Sequence, residues 1–75
     1  MTPEQCRTKR NQLLAHARVL EKSDTFVSRA TAERCRTMAN NLMLAASDNE
    51  ADAARGRALY DKSRADFETF ISAQR

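Results

Sequence analysis

Glycine and proline are almost missing from this chain: Gly56 and Pro3 are the single copies among 75 residues. One glycine cannot build a glycine-rich phosphate loop, and one proline near the start leaves the middle of the chain without strong punctuation. Tryptophan is absent, and Phe26, Tyr60, Phe67 and Phe70 are the whole aromatic complement. A base-stacking surface interleaves more aromatics with basic residues than this. Two cysteines, Cys6 and Cys35, without CxxC spacing, do not make a disulfide scaffold, so reduced thiols are expected. One histidine, His16, gives no Ser-His-Asp constellation. No apolar run is long enough for a membrane span or a signal sequence. The protein is therefore expected to be soluble and to stay where it is made, in the cytoplasm, or the host cytoplasm if a phage encodes it.

Large aliphatic residues are also scarce. Leu, Ile, Val and Phe number 12 of 75, below the fifth of a chain at which a private core becomes a weak ordering force. At this length one core supplies about 3–5 kcal/mol. Self-association or a partner protein is the expected remedy. The net charge is +3, unevenly spread: residues 1–24 carry five cations against three acids, residues 25–47 three against one, and residues 48–75 five against six. That bias suits weak attraction to acidic proteins or phosphate and lacks the dense stripe of a dedicated nucleic-acid binder.

What the chain does have is helical pattern throughout. Thr2-Pro3-Glu4-Gln5 reads as a capping box with proline at the first helical position. The helix it opens places Cys6, Leu13, Leu14, Ala17 and Leu20 on one face, with Arg7, Arg18 and Lys22 to one side. Ser23-Asp24-Thr25 breaks the pattern and offers caps for a second helix. Its apolar face is Val27, Thr31, Cys35, Met38, Leu42, Ala45 and Ala46. In a third segment Ala53, Gly56, Tyr60, Ser63, Phe67, Phe70 and Gln74 follow heptad spacing, with Leu59 and Ile71 widening the stripe. Small Gly56 and Ser63 alternate with large Tyr60 and Phe67, which lets a facing helix approach closely at the small positions.

The junction at Ser47-Asp48-Asn49-Glu50 matches an S-x-x-E capping box with acids set on a new helix start. Yet Leu42 and Ala53 are eleven residues apart, and at ~100° per residue the apolar phase returns to within about 20°. The preferred fold is an all-α antiparallel three-helix bundle forming one domain over 1–75, with helices at about 3–22, 27–46 and 48–74. The alternative is a helical hairpin whose long second helix, 28–74, oligomerises. In the bundle Cys6 lies opposite Leu42 and Cys35 opposite Leu13, which keeps the two thiols too far apart to bond.

Chemistry is thin. Cys6, His16 and Cys35 lack the short paired spacings of a zinc site, and two buried thiols with a boundary histidine explain them. Asp48, Glu50 and Asp52 alternate as in a calcium loop, but Ala53 and Leu59 occupy the positions that need Gly and Glu. A helix-turn-helix is excluded on proportion, its second helix being too long and acidic. No catalytic, cofactor-binding or metal residue is assigned, and an enzyme is not expected.

The back of helix 2 stands out. Arg29, Arg36, Asn40 and Met43, flanked by Leu44, form a stripe opposite the core face, and Met beside Arg is typical of interfaces. The expected function is a small helical interaction module acting on a partner protein. It would serve as an adapter, inhibitor or assembly factor of the kind bacteria and phages encode as short separate genes. The alternative is a nucleic-acid-associated protein in which Arg7, Lys9, Arg10, Arg18 and Lys22 make sequence-independent phosphate contacts.

Overall fold

A computed structural model describes residues 1–74 as three helices: α1 (Pro3–Glu21), α2 (Phe26–Ala45) and α3 (Glu50–Ala73). Local chemistry sets each start. The Thr2 hydroxyl accepts from the Gln5 amide at 3.1 Å and the Gln5 side chain accepts from the Thr2 amide at 2.9 Å, so the expected capping box is complete. Thr25 caps α2 by accepting from the Ser28 amide at 3.1 Å. The expected box at Ser47 is not formed. Asn49 is the cap of α3, its side chain accepting from the Asp52 amide at 3.0 Å, while the Ser47 hydroxyl accepts from the Asn49 amide at 3.1 Å. Asn caps as well as Ser, and with the serine oxygen closing the turn, α3 starts at Glu50 rather than at 48. The chain therefore does turn back, and a continuous helix over 28–74 does not form in this fold.

Helix α2 is the middle element. It packs against both α1 and α3, whose backbones do not approach one another. The Cα envelope is 39 × 21 × 14 Å, its shortest dimension about three times the ~4.6 Å Cα diameter of one helix, as in a somewhat flattened bundle. Having two neighbours widens the buried arc of α2. Ala32 and Ala39 join the expected Thr31, Cys35, Met38, Leu42 and Ala45, while Val27, expected in the core, is 42% exposed in the first turn.

Having one neighbour narrows the buried arc of α3. Ala53, Gly56 and Tyr60 are buried, Ser63, Phe67, Phe70 and Ile71 are half-buried, Gln74 is exposed, and Leu59 is 40% exposed. The two helices meet most closely where a Cβ on Gly56 would lie 2.2 Å from the Ala45 amide nitrogen and 2.6 Å from the Leu44 carbonyl carbon. Further along, the Asn41 amide nitrogen donates to the Leu59 carbonyl at 3.2 Å and to the Ser63 hydroxyl at 3.1 Å. Arg34 closes the far end, with its guanidinium 3.9 Å above the Phe70 ring and its Nε 3.5 Å from Asp66.

Cys6 and Cys35 are buried and unbonded. Cys6 and Leu42 line one cavity, in keeping with the expected register of α1 on α2.

Candidate interaction surfaces

Glu21 and Arg36 tie the outer edges of α1 and α2 together by an ion pair. Counting ~100° per residue, Glu21 lies about 60° from Cys6 around α1, between the buried face and the flank holding Arg7, Arg18 and Lys22. On α2, Met43, Arg36, Arg29 and Asn40 fall about 80–140° from Cys35. The Glu21–Arg36 bridge therefore sets these two groups on the same side of the bundle. The residues anticipated for a partner and three of those anticipated for phosphate share one face.

Within that face Arg29, Arg36, Asn40 and Met43 are exposed and Leu44 is half-buried. Met43 is 54% exposed. Arg29 bonds Asp24 in the preceding turn and Arg36 bonds Glu21. Both pairs are solvated and worth about 0–1 kcal/mol, so a partner carboxylate can displace either acid at little cost.

The five cations of α1 separate into two groups. Arg7, Arg18 and Lys22 are exposed along the shared face, spanning fifteen residues or ~22 Å. Lys9 instead lines a cavity of about 210 Å³ between α1 and α3 with Leu13, Met38, Tyr60 and Phe67. Arg10 is half-buried and donates to the Asn11 side chain at 3.1 and 3.2 Å. Among the described residues every ion pair takes its cation from α2 or α3: Arg29, Arg34, Arg36, Arg55, Arg57 and Arg64. The cations of α1 have no acidic partner, and Glu21, the acid best placed to serve them, is taken by Arg36.

The opposite side of the bundle holds the cleft between α1 and α3. A second cavity there, about 240 Å³, is lined by Cys6, Leu42, Tyr60 and Arg64 among others. Both cavities fall below the ~300 Å³ at which small-molecule pockets begin. Their floor is closed, since Cys6, Met38 and Leu42, which line them together with Tyr60, are already buried. Burial raises the pKa of the Cys35 thiol and so disfavours the reactive thiolate. His16 is exposed, and among the described residues no three His, Cys, Asp or Glu side chains converge as a metal site. No helix is long and apolar enough to cross a membrane.

Two inter-helix residues escaped the sequence reading. Asn41 and Arg34 sit at the margin of the α2 apolar stripe, where a polar residue reads as boundary unless the facing helix is known. Comparison with protein-family models, curated proteins and solved structures yields no match.

Proposed function

We propose that this chain is a small helical interaction module that docks an acidic partner protein on the shared face of α1 and α2. The observation that carries this reading is Met43, 54% exposed, on a face where Arg7, Arg18 and Lys22 have no acidic partner and Arg29 and Arg36 hold only solvated ones. An apolar Met43 at one end of a line of guanidinium and ammonium groups suits a partner whose apolar pocket lies at the end of a run of carboxylates. Desolvation of Met43 supplies affinity and the cations supply encounter rate and register. Binding rather than catalysis is the proposed activity.

A photo-crosslinking side chain at position 43 tests this in cells. Adducts with one acidic protein from position 43, absent when the same group sits at Gln12, support the reading. Adducts to nucleic acid, or none at all, overturn it. Met43→Asp lowers affinity for a partner so identified, because it places a charge in an apolar contact.

The unpaired cations of α1 also favour a second reading, in which Arg7, Arg18 and Lys22 contact nucleic-acid phosphates without sequence preference. A salt series separates the two. Phosphate contact collapses between low and physiological salt through counterion release, whereas a contact centred on Met43 persists.

A further inference from the structure

We propose that α3 exchanges between two copies of this chain, opening the turn at residues 46–49 into continuous helix and producing a closed, two-fold dimer. Four features of the fold carry the proposal. First, the backbone of α3 approaches α2 alone, and α3 faces α1 through side chains such as Tyr60 and Phe67 across the cleft, so another copy's α3 brings the same groups back to both helices.

Second, no backbone feature of the turn bars a helix, and only the weak helix propensity of Ser47, Asp48 and Asn49 opposes one. Ala46 has φ −88° and ψ 2°, no residue has positive φ, and Ala46-Ser47-Asp48-Asn49 includes neither glycine nor proline. Third, opening it preserves the apolar phase, since Leu42 and Ala53 are eleven residues apart, within about 20° of the same face.

Fourth, the contacts between α2 and α3 are already symmetric about the turn. Ala45 meets Gly56, Asn41 meets Leu59 and Ser63, and Arg34 meets Asp66 and Phe70. The midpoint of every pair falls at residues 50–52. Two straight helices laid antiparallel with their two-fold axis beside residue 51 therefore remake each contact between copies, with Ala45 of one on Gly56 of the other. Such an arrangement is isologous and closes at two chains. Exchange costs the Asn49 cap and the Ser47 bond and gains helical hydrogen bonds across the hinge. Asp48, Glu50 and Asp52 oppose it, because six carboxylates then gather around the axis, and added salt screens them.

Refolding from denaturant at high and at low protein concentration, followed by light scattering on size-exclusion chromatography, tests the exchange. The expected result is a dimer from the concentrated sample that persists after dilution, beside a monomer from the dilute one. Inserting two glycines between Ala46 and Ser47 removes that dimer while circular dichroism shows the monomer still folded. Ala46→Gly, which puts the poorer helix former inside the continuous helix of the dimer but outside the helices of the monomer, lowers the dimer fraction without lengthening the chain. Met43→Asp leaves the exchanged dimer intact, which separates this test from that of the shared face. A monomer under both refolding regimes overturns the proposal, as does a dimer indifferent to both hinge variants or one that dissociates at once on dilution.

Discussion

Gly56 passes so close to Ala45 that a methyl group on it would lie 2.2 Å from the Ala45 nitrogen, and the neighbouring obstacles are backbone as well. This contact sets how near α2 and α3 can come, and every other contact between them follows from that spacing. Gly56→Ala is favourable for helix propensity by about 0.5–1 kcal/mol. The clash outweighs it, because overpacking against atoms that cannot rotate away costs about 1–3 kcal/mol or more. For a chain with about 3–5 kcal/mol to lose, the expected outcome is a broad, low-temperature unfolding transition by circular dichroism. An unchanged or higher melting temperature would show that the helices are not so closely apposed.

Arg34 and Phe70 form the far clasp of the same interface. The Arg34 side chain is 33% exposed, so its stacking and its pairing with Asp66 together are worth about 1 kcal/mol. Arg34→Lys keeps the charge and loses the planar stack. A double-mutant cycle with Phe70→Leu is expected to give a coupling of about 0.5–1 kcal/mol. A coupling near zero would show the stack to be incidental.

Asn41 is the polar tie between these two clasps. Asn41→Leu removes both of its hydrogen bonds, but the Ser63 hydroxyl still donates to the Tyr60 carbonyl at 3.0 Å. No buried group is stranded, so the loss is about 1 kcal/mol rather than the several that an orphaned partner costs. Chemical denaturation reads it directly.

The second turn distinguishes two caps. Asn49→Ala is expected to cost about 1 kcal/mol and Asn49→Gly only a few tenths. Ser47→Ala, which removes one bond in the turn, costs less than Asn49→Ala. The reverse order, measured by thermal melting, would restore Ser47 as the cap.

Burial raises the Cys35 thiol above its ordinary value near 9.0. The folded chain therefore holds this proton more tightly than the unfolded chain does. Its contribution is complete below the unfolded pKa and is lost as pH rises through the folded one. Denaturation midpoints are expected to fall as pH climbs above about 9, and Cys35→Ala flattens that decline. An identical slope in the variant would assign the loss to other groups.

Much of the architecture was legible because it is decided within a few residues. The Thr2 box and the Thr25 cap depend on groups three positions apart, and the break after Ala46 on three residues that compete for backbone hydrogen bonds. Gly56 was readable as a point of close approach because it and Ser63 are the small positions of a stripe that alternates small with large. Ser47 was misread as the cap, since Ser47 and Asn49 both offer suitable oxygens and only the turn geometry allots them. Val27 looked like core because a periodic pattern does not reveal where a bundle ends.

Of the candidate surface, the residue types were visible and their grouping was not. Arg29, Arg36, Asn40 and Met43 read as one stripe, and the cations of α1 as another. Only the Glu21–Arg36 bridge shows that Arg7, Arg18 and Lys22 share a side of the bundle with Met43, and only the packing sets exposed Lys9 at the edge of the cleft. Sequence alone determined the helical class, the caps at Thr2 and Thr25 and the apolar faces, because caps and 3.6-residue periodicity are local properties of the chain, and it left a long second helix over 28–74 as the alternative to a third helix. Tertiary structure decided that α2 lies between two helices whose backbones do not approach one another, which widens one buried arc and narrows another. Which helix takes the middle, and which charges then share a face, depends on contacts between residues far apart in the chain, and no local pattern encodes them.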